Sequence, residues 1–338
     1  MAVSLPGGVD QRSLLLLLAD GRLHSGVRLA RALGAGRAAV CDEIERLRAS
    51  GVQIDAPAGR GYRLPGPVEL LDARQIRSAL SQERDRQVRS FEVLFVVDST
   101  NTRLLGLPAP PAGRADVCMS ELQPSGRGRQ GRRWIASFGD SIALSLAWTF
   151  VDAARASPAL SLATGVAISR ALARAGARGI GLKWPNDVWF DDRKLGGVLI
   201  ELRVDAGGPA HVVIGVGLNA SLSTALRCMV EASGVRAAAV AEASSEKISR
   251  NRMAGLLLEE LLSMLGQFER QGFAPFRDAW QALDVLHGRA AQVLVGDGAM
   301  SGMARGVDAD GALLLESGGR IHKFASGEVG LRLTEGDA

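Results

Sequence analysis

The hydrophobic pattern of the first sixty-five residues changes from helical spacing to short alternation. Ser25 is a residue type that caps helices, and apolar residues recur at helical spacing from Ala38 to Leu47. The pattern predicts helices over 11–20, 25–33 and 37–50, then strands at 52–54 and 62–64 around a glycine turn. A helix–turn–helix followed by a hairpin is typical of a winged DNA-binding domain. A small helical cap or dimerisation module would give the same pattern.

The rest of the chain predicts two further domains. Pro65-Gly66-Pro67 is a stiff break. Beyond it the pattern predicts helices at 72–80, 161–175 and 251–271, a buried strand at 91–97, and antiparallel strands across 180–219. Short alternating strands with Gly and Asp turns begin near His287 and predict a small β-barrel. We therefore expect domains at 1–66, 67–285 and 286–338.

Composition and charge narrow the class of protein. A net charge of +4 excludes a chain whose whole surface coats nucleic acid, although the nine arginines and six acids of residues 1–65 leave that part at +3. Three cysteines without metal-type spacing predict reduced thiols in the cytoplasm. No apolar run reaches about 18 residues, so we expect neither a secreted nor a membrane-spanning protein. Lysine and asparagine occur only four times each, so each one retained is a candidate for function.

A glycine- and arginine-rich segment, residues 123–134, carries the sharpest chemical signal. Its glycines permit backbone N–H groups to converge on an anion, and its four arginines would repel one another without a ligand. We predict a loop that is disordered when empty and folds over a polyanion. Trp134 beside it could stack a purine. A solvated loop, an Arg/Gly contact with nucleic acid and a core tryptophan are the alternatives.

Two scarce lysines mark two further motifs. In Lys183-Trp184-Pro185-Asn186-Asp187 the proline ends a strand, the lysine can neutralise charge on a phosphate, and the aspartate can hold Mg²⁺ or a ribose hydroxyl. A decorated hairpin turn is the plainer interpretation. Lys194 opens an apolar strand whose paired glycines, at 196–197, allow close backbone approach, and a similar strand at 214–219 ends in Asn219.

Ser99-Thr100-Asn101 follows the predicted strand 91–97, where its hydroxyls could also serve only to cap a helix. The sequence has no Gly-x4-Gly-Lys-Ser/Thr phosphate loop, no Gly-x-Ser-x-Gly elbow and no His or Cys cluster of metal-ligand spacing. These features indicate electrostatic activation of a bound anion rather than covalent catalysis by a protein nucleophile.

Five motifs in order, 99–101, 126–134, 183–187, 194–197 and 215–219, resemble those of the biotin–protein ligase family. The resemblance is to its bifunctional form, which doubles as the biotin operon repressor, and covers about residues 10–333. It implies an α+β multidomain fold. That fold has an N-terminal winged helix-turn-helix, a central class II synthetase-like α/β ligase domain with a mixed sheet, and a C-terminal SH3-like β-barrel.

The resemblance also implies a reaction. Biotin's carboxylate would attack the α-phosphate of MgATP to give biotinyl-5′-AMP, and a lysine of a biotin carboxyl carrier protein of acetyl-CoA carboxylase would then accept biotin. The positions that resemble biotin-binding residues are Ser99, Thr100, Asn101, Gln123, Arg127, Gly128, Arg129 and Lys194. Those that resemble the ATP and adenylate side are Arg132, Trp134, Lys183, Asn186, Asp187 and Asn219, with Asp187 as a candidate Mg²⁺ ligand. Lys183 and Arg129 would be catalytic.

Repression adds further expectations. Biotinyl-5′-AMP would act as corepressor, two chains would pair, and Arg37, Arg46, Arg60 and Arg63 would contact operator DNA. The helix expected to enter the groove departs from this pattern because it carries Asp42, Glu43 and Glu45. Three alternatives stay open at this point. They are a ligase whose winged helix does not repress, a related acyl-adenylating enzyme such as a lipoate ligase, and a regulator that senses the adenylate without transferring biotin.

Overall fold

The N-terminal domain forms the expected helices. The computed structural model describes residues 9–204, 208–295, 298–325 and 329–333. Helices α1 (Gln11–Leu18), α2 (Gly26–Ala32) and α3 (Arg37–Ala49) pack around one apolar cluster. The side chain of Ser25 caps α2 by accepting from the backbone N–H of Arg28, as the sequence predicts.

The wing is smaller than expected. No strand forms at 52–54, and the wing consists of single bridges between Asp55 and Arg63 and between His24 and Tyr62. Tyr62 exchanges both backbone hydrogen bonds, each 2.9 Å long, with His24 in the turn before α2. With Asp55 opposite Arg63, residues 52–54 would face 64–66. Pro65 has no backbone N–H to donate, so a longer ladder with 52–54 does not form.

A seven-stranded mixed sheet organises the central domain. Its strands are β1 (Val88–Val96), β2 (Ala115–Leu122), β3 (Ser141–Phe150), β4 (Ile180–Lys183), β5 (Asp187–Phe190), β6 (Arg193–Val204) and β7 (Ala210–Asn219). They lie in the order β1-β2-β3-β7-β6-β5-β4, with β1 and β2 parallel and the other neighbours antiparallel. The predicted mixed sheet and the antiparallel run across 180–219 are confirmed.

Helices cover the sheet and close its core. They are α4 (Ala73–Ser78), α5 (Gln82–Gln87), α6 (Thr100–Leu105), α7 (Leu160–Ala175), α8 (Thr224–Glu231), α9 (Arg250–Gln271) and α10 (Ala274–Leu283). The long helix predicted at 251–271 is α9, which packs on α7. Strand β1 begins three residues before the predicted strand 91–97, and the polar stretch ahead of it forms α5.

The winged helix packs against the central domain across the Pro-Gly-Pro break. Leu122, at the end of β2, and Phe138 belong to the same buried cluster as the N-terminal helices. The linker is held by the start of α9, where Arg250 donates to the backbone oxygen of Glu69 and to the buried carboxylate of Glu121 at 2.8 Å. The N-terminal helices and the central domain therefore share an interface, and the domain boundary at residue 66 stays a prediction.

The C-terminal part is a five-stranded antiparallel sheet. Its strands are β8 (Ala290–Val295), β9 (Gly298–Val307), β10 (Leu313–Ser317), β11 (Arg320–Phe324) and β12 (Val329–Leu333), in the order β11-β10-β9-β8-β12. Its apolar residues continue the core of the central domain, and the Trp184 indole N–H donates to the Gly311 carbonyl at 3.1 Å. The β-rich C-terminal domain is confirmed, and its closure into an SH3-like barrel stays a prediction.

A membrane-crossing helix would have to be long and apolar throughout. None of the helices in the described ranges meets both conditions.

Candidate active site

The predicted site residues converge on one large cleft beside the central sheet. The cleft has a volume of about 1770 Å³ and lies between the glycine-rich loop, strands β4 to β7 and the C-terminal sheet. Its lining includes Ser99, Thr100, Asn101, Gln123, Arg127, Gly128, Arg129, Arg132, Trp134, Lys183, Asn186, Asp187, Lys194 and Asn219. Every cleft residue expected from the sequence therefore lies on one surface, although Ser99 and Asn219 are 120 positions apart in the chain.

One end of the cleft is a buried hydrogen-bonding cluster. Ser99 caps α6 by accepting from the backbone N–H of Thr102, so the capping interpretation is right for this residue. Thr100 does more, because its backbone N–H and hydroxyl both donate to the Gln123 amide oxygen, at 2.8 and 3.1 Å. Ser145 Oγ on β3 lies within hydrogen-bond distance of Thr100 Oγ1, at 2.6 Å, and of Asn101 Oδ1, at 2.5 Å. Buried polar groups fixed in this way suit a small polar ligand.

Asn101 is fixed from its other side as well. Its Nδ2 donates to the Glu201 carboxylate at 2.8 Å, and the same oxygen accepts from Arg127 at 3.0 Å. Gly215 on β7 makes room for this arrangement, since a Cβ there would lie 2.4 Å from Asn101 Oδ1. Glu201, which the sequence analysis did not select, therefore connects α6 to the glycine-rich loop.

The glycine-rich loop has the backbone of a small hairpin. Gly128 N–H donates to the Arg132 carbonyl at 2.7 Å, and Trp134 N–H donates to the Gly126 carbonyl at 2.8 Å. A Cβ on Gly126 would lie 2.7 Å from the Trp134 carbonyl oxygen, so this crossing requires glycine. The turn passes through Gln130, which has a φ of 56°. That the loop orders only around a ligand stays a prediction.

The loop brings an aromatic surface to the cleft. Trp134 lies against β7, where a Cβ on Gly217 would come within 2.8 Å of the indole Cε2 atom. The indole is partly buried, and its N–H has no hydrogen-bond partner in the described part of the chain. Glycine at 217 therefore sets the depth of the indole, which can offer a face to a planar ligand.

A second part of the cleft, called here its cationic end, is lined by Lys183, Arg129 and Lys194. The Lys183 ammonium lies 4.3 Å from the centre of the Trp189 ring. Burial lowers the pKa of Lys183 below its ordinary value, with neighbouring Lys194 and Arg289 acting in the same direction and Asp187 opposing them. Burial also lowers the pKa of Arg129. Positive charge held in a partly buried setting is costly and favours the arrival of an anion.

The motif 183–187 is both a hairpin turn and part of this site. Lys183 pairs with Asp187 across β4 and β5, and the Asn186 amide donates to the Val198 carbonyl at 2.8 Å. The Asp187 carboxylate accepts from Lys194 Nζ at 2.5 Å. Asn219 likewise uses its amide N–H to reach the backbone oxygen of Ala238 at 3.0 Å. The two asparagines therefore shape the cleft through backbone contacts and also line it.

Several lining residues were missed by the sequence analysis. Trp189 follows the Lys183 motif at strand spacing, which was a usable signal. Residues 230 and 233–236 line the cleft from the segment that carries no clear pattern. Asp192 and Arg289 also reach it, although Arg289 comes from the C-terminal domain. A local sequence pattern cannot predict that Arg289 of one domain lines a cleft formed mainly by another.

The four arginines expected to contact DNA lie outside the cleft, on the winged helix. Arg37 and Arg60 are exposed, Arg63 pairs with Asp55 at 3.1 Å, and Arg46 pairs with Glu43 at 3.0 Å. The structure corrects one part of the acidic-helix argument. Glu43 is only 5% exposed, so it is turned away from any groove. Two acids of α3 remain at the surface instead of three.

A resident metal would need several ligands in one place. In the described ranges no three His, Cys, Asp or Glu side chains are grouped to hold a metal ion. Asp187 lines the cleft, and a single carboxylate suits an ion that arrives already bound to phosphates.

Comparison with known proteins agrees with this architecture. Residues 93–219 match the biotin/lipoate A/B protein ligase family, residues 286–332 the biotin protein ligase C-terminal domain, and residues 11–63 an HTH domain. The chain is 38% identical to the bifunctional ligase/repressor BirA of Escherichia coli over 322 residues, which cover 95% of this chain and 97% of the relative. The chain belongs to the BirA family of bifunctional ligase/repressors. The family predicted from the five motifs is thereby confirmed.

Two further proteins similar to this chain are biotin ligases by name. A biotin–[acetyl-CoA-carboxylase] ligase of Mycobacterium tuberculosis is 34% identical over 71% of this chain and 88% of its own length. Among solved structures, the biotin protein ligase from Aquifex aeolicus in complex with biotin and ATP has a TM-score of 0.62. It is 25% identical and covers 73% of this chain and all of its own.

Proposed function

We propose that this member of the BirA family is an ATP-dependent biotin–protein ligase, a biotin–[acetyl-CoA-carboxylase] ligase. It activates biotin to biotinyl-5′-AMP and transfers the biotinyl group to a lysine of a biotin carboxyl carrier protein. The observation that carries the proposal is the polarity of one cleft. A buried hydrogen-bonding cluster lines one part of the cleft, a group of cations lines another, and Trp134 adds an aromatic face.

The hydrogen-bonding end suits biotin, whose ureido group both donates and accepts. We assign biotin binding to Ser99, Thr100, Asn101, Gln123, Arg127, Gly128, Arg129 and Lys194. Thr100, Asn101 and Gln123 are fixed by hydrogen bonds within the site, so a ligand of the right shape meets a preorganised surface. Arg127 is also tied to Glu201, which holds the loop beside this end of the cleft.

The cationic end suits ATP and the reacting carboxylate. We assign ATP and adenylate binding to Arg132, Trp134, Lys183, Asn186, Asp187 and Asn219, with Lys183 and Arg129 as the catalytic residues. The biotin carboxylate oxygen forms a bond to the α-phosphorus while the bond to the pyrophosphate oxygen breaks, and pyrophosphate leaves with the electron pair. During this step Lys183 and Arg129 neutralise negative charge on the carboxylate oxygen and on the oxygens of the α-phosphate.

The second half-reaction needs no nucleophile from this chain. The carrier lysine amine attacks the acyl carbon of the mixed anhydride, AMP leaves, and the amine loses a proton. The chain holds the adenylate, and the loop 123–134 excludes water from it until the carrier arrives. Mg²⁺, which would come with ATP, supplies further charge neutralisation at the phosphates, and Asp187 is its candidate ligand.

The winged helix adds a second role. We propose that biotinyl-5′-AMP is the corepressor, that the liganded chain forms a homodimer, and that the dimer binds operator DNA near biotin biosynthesis genes. Arg37, Arg46, Arg60 and Arg63 would contact that DNA. The HTH match and the bifunctional relatives support this role. The three free cysteines fit a reducing compartment, and we propose the cytoplasm.

Carrier biotinylation tests the enzyme. Purified protein is incubated with ATP, biotin and a carrier domain, and the mass of the carrier is then measured by mass spectrometry. We expect a biotinyl adduct on one lysine that disappears without ATP and that lipoate does not replace. A lipoyl adduct would favour a lipoate ligase, and adenylate formation without any adduct would favour a regulator that senses the intermediate.

Selection of genomic fragments tests the repressor. Fragments bound by the protein are sequenced with and without biotinyl-5′-AMP at one fixed salt concentration, because phosphate contacts make binding strongly salt-dependent. Adenylate-dependent enrichment of a palindrome is expected. Equal recovery in both states would mean a ligase whose winged helix does not repress.

A further inference from the structure

An arginine of the C-terminal domain reaches the cationic end of the cleft. Arg289 lies in the connection between α10 and β8 and lines the cleft. Its Nη1 atom is 2.9 Å from the Asp192 carboxylate and 3.4 Å from the Val285 carbonyl oxygen. The side chain keeps 44% of its surface exposed, so several of its five N–H groups face the cleft or solvent.

Its partner lies on a tight hairpin turn. Asp191 and Asp192 form the two-residue connection from β5 to β6, with φ values of 51° and 53°, the left-handed region that such turns use and that aspartate tolerates. Asp191 pairs with Arg193 at 3.2 Å, and the Asp192 carboxylate contacts Arg289, 97 positions along the chain. Because exposed ion pairs contribute little to stability, the contact between Asp192 and Arg289 adds little to the docking of the C-terminal sheet.

The pair shares an electrostatic environment with the catalytic lysine. Arg289 acts to lower the pKa of Lys183, and Asp192 acts to raise it. Lys194 is balanced in the same region by Asp187. Arg289 and Lys194 therefore each form an ion pair with a carboxylate, and the phosphates of an incoming ligand can replace that carboxylate.

We propose that Arg289 binds the β- and γ-phosphates of ATP and the pyrophosphate leaving group, and that Asp192 holds the guanidinium in place while the cleft is free. This inference rests on the proposed function and extends it to a subsite. When the bond between the α-phosphorus and the bridging oxygen breaks, the electron pair and negative charge pass to pyrophosphate. A guanidinium can take two phosphate oxygens at once and is always charged, so Arg289 stabilises the charge that develops there.

Comparing the two half-reactions distinguishes phosphate binding by Arg289 from a role in binding the adenylate or in folding. ATP carries β- and γ-phosphates, whereas biotinyl-5′-AMP does not, so only the first half-reaction uses the proposed subsite. In Arg289→Gln we expect kcat/KM for ATP in adenylate formation to fall about ten- to a hundredfold, as loss of charge-assisted hydrogen bonds predicts. Transfer from preformed biotinyl-5′-AMP to the carrier should stay within about twofold of the unsubstituted protein. Inhibition of the first half-reaction by added pyrophosphate should weaken in parallel.

Arg305 supplies a matched control. It lies on β9 of the C-terminal domain, pairs with Glu316, and has 45% of its side chain exposed, close to the value for Arg289. Because it does not line the cleft, Arg305→Gln should leave both half-reactions unchanged.

Asp192→Asn tests whether the ion pair merely joins two domains. It removes the same ion pair but leaves the proposed phosphate ligand, so adenylate formation should be retained or improved at low ATP. Equal losses in Asp192→Asn and Arg289→Gln, in both half-reactions, would overturn the inference. So would normal ATP kinetics in Arg289→Gln. Failure of the unsubstituted protein to form any adenylate would instead refute the proposed function itself.

Discussion

Replacing Lys183 with methionine should separate catalysis from stability in this protein. The Lys183 ammonium lies over the Trp189 ring, 4.3 Å from the ring centre, and burial lowers the pKa of the amine. Methionine keeps an unbranched apolar stem of similar length and removes only the charge. The apolar stem is therefore retained, whereas the ammonium over Trp189 and beside the proposed reacting oxygens is lost.

The two effects differ in size. Removing one preorganised group that stabilises developing negative charge costs about 2.7–4 kcal/mol, or about 10²–10³ in rate. The contact of a cation with a ring contributes roughly 0.5–2 kcal/mol, and the cost of burying an ammonium opposes it. We therefore expect the free energy of unfolding of Lys183→Met to change by less than about 1 kcal/mol, while adenylate formation falls by two to three orders of magnitude.

Three measurements on one preparation test this. Pyrophosphate release gives the rate of adenylate formation, calorimetry gives the Kd for biotin, and urea unfolding gives stability. Biotin affinity should change far less than the rate. Lys323→Met is the control, because that lysine pairs with Asp308 at the surface, 67% exposed, and should change none of the three. An unchanged rate in Lys183→Met, or a loss of rate matched by a loss of stability, would refute the assignment.

Three further predictions rest on other parts of the structure. Gly217→Ala puts a Cβ 2.8 Å from the Trp134 indole and should weaken nucleotide binding about tenfold, the loss of roughly 1–3 kcal/mol of stacking, in a fluorescence titration. Arg250→Met leaves the fully buried Glu121 carboxylate without its cation and should lower the free energy of unfolding by about 3–5 kcal/mol in urea. Burial raises the pKa of Asp284 to about 6 from an ordinary 3.8, so its folded state binds a proton more tightly than its unfolded state. Stability at this group therefore falls as pH rises from 3.8 to about 6, and Asp284→Asn should remove that dependence in unfolding measured across the range.

Each of these predictions can fail in a definite way. Gly266→Ala is the control for Gly217→Ala, because its added Cβ would meet only the flexible end of Arg270, at 3.5 Å. Equal nucleotide affinity in the two glycine variants would contradict the role given to Gly217. An Arg250→Met protein as stable as the original would contradict the buried ion pair. An unchanged pH profile in Asp284→Asn would mean that another group titrates there.

Local patterns in the sequence were enough to predict the elements and the motifs. Helix α9 and the capped helix α2 follow from hydrophobic spacing and from Ser25, which act over a few residues. The cleft residues were found for a similar reason. Each motif couples a strand end to glycines or to scarce polar residues within three to twelve positions, so it can be recognised without knowledge of the fold.

Tertiary packing determines which residues of distant segments contact one another. The sequence could not show that Glu43 turns inward, that Tyr62 pairs with His24, or that Glu201 joins Asn101 to Arg127, because each depends on a partner chosen in three dimensions. The same holds for Arg289 and Asp192, which meet only because the C-terminal sheet docks beside β5 and β6. Local propensity fixes elements through contacts a few residues apart. Side-chain pairs across the cleft depend on how whole elements pack, and that information is spread over the entire chain.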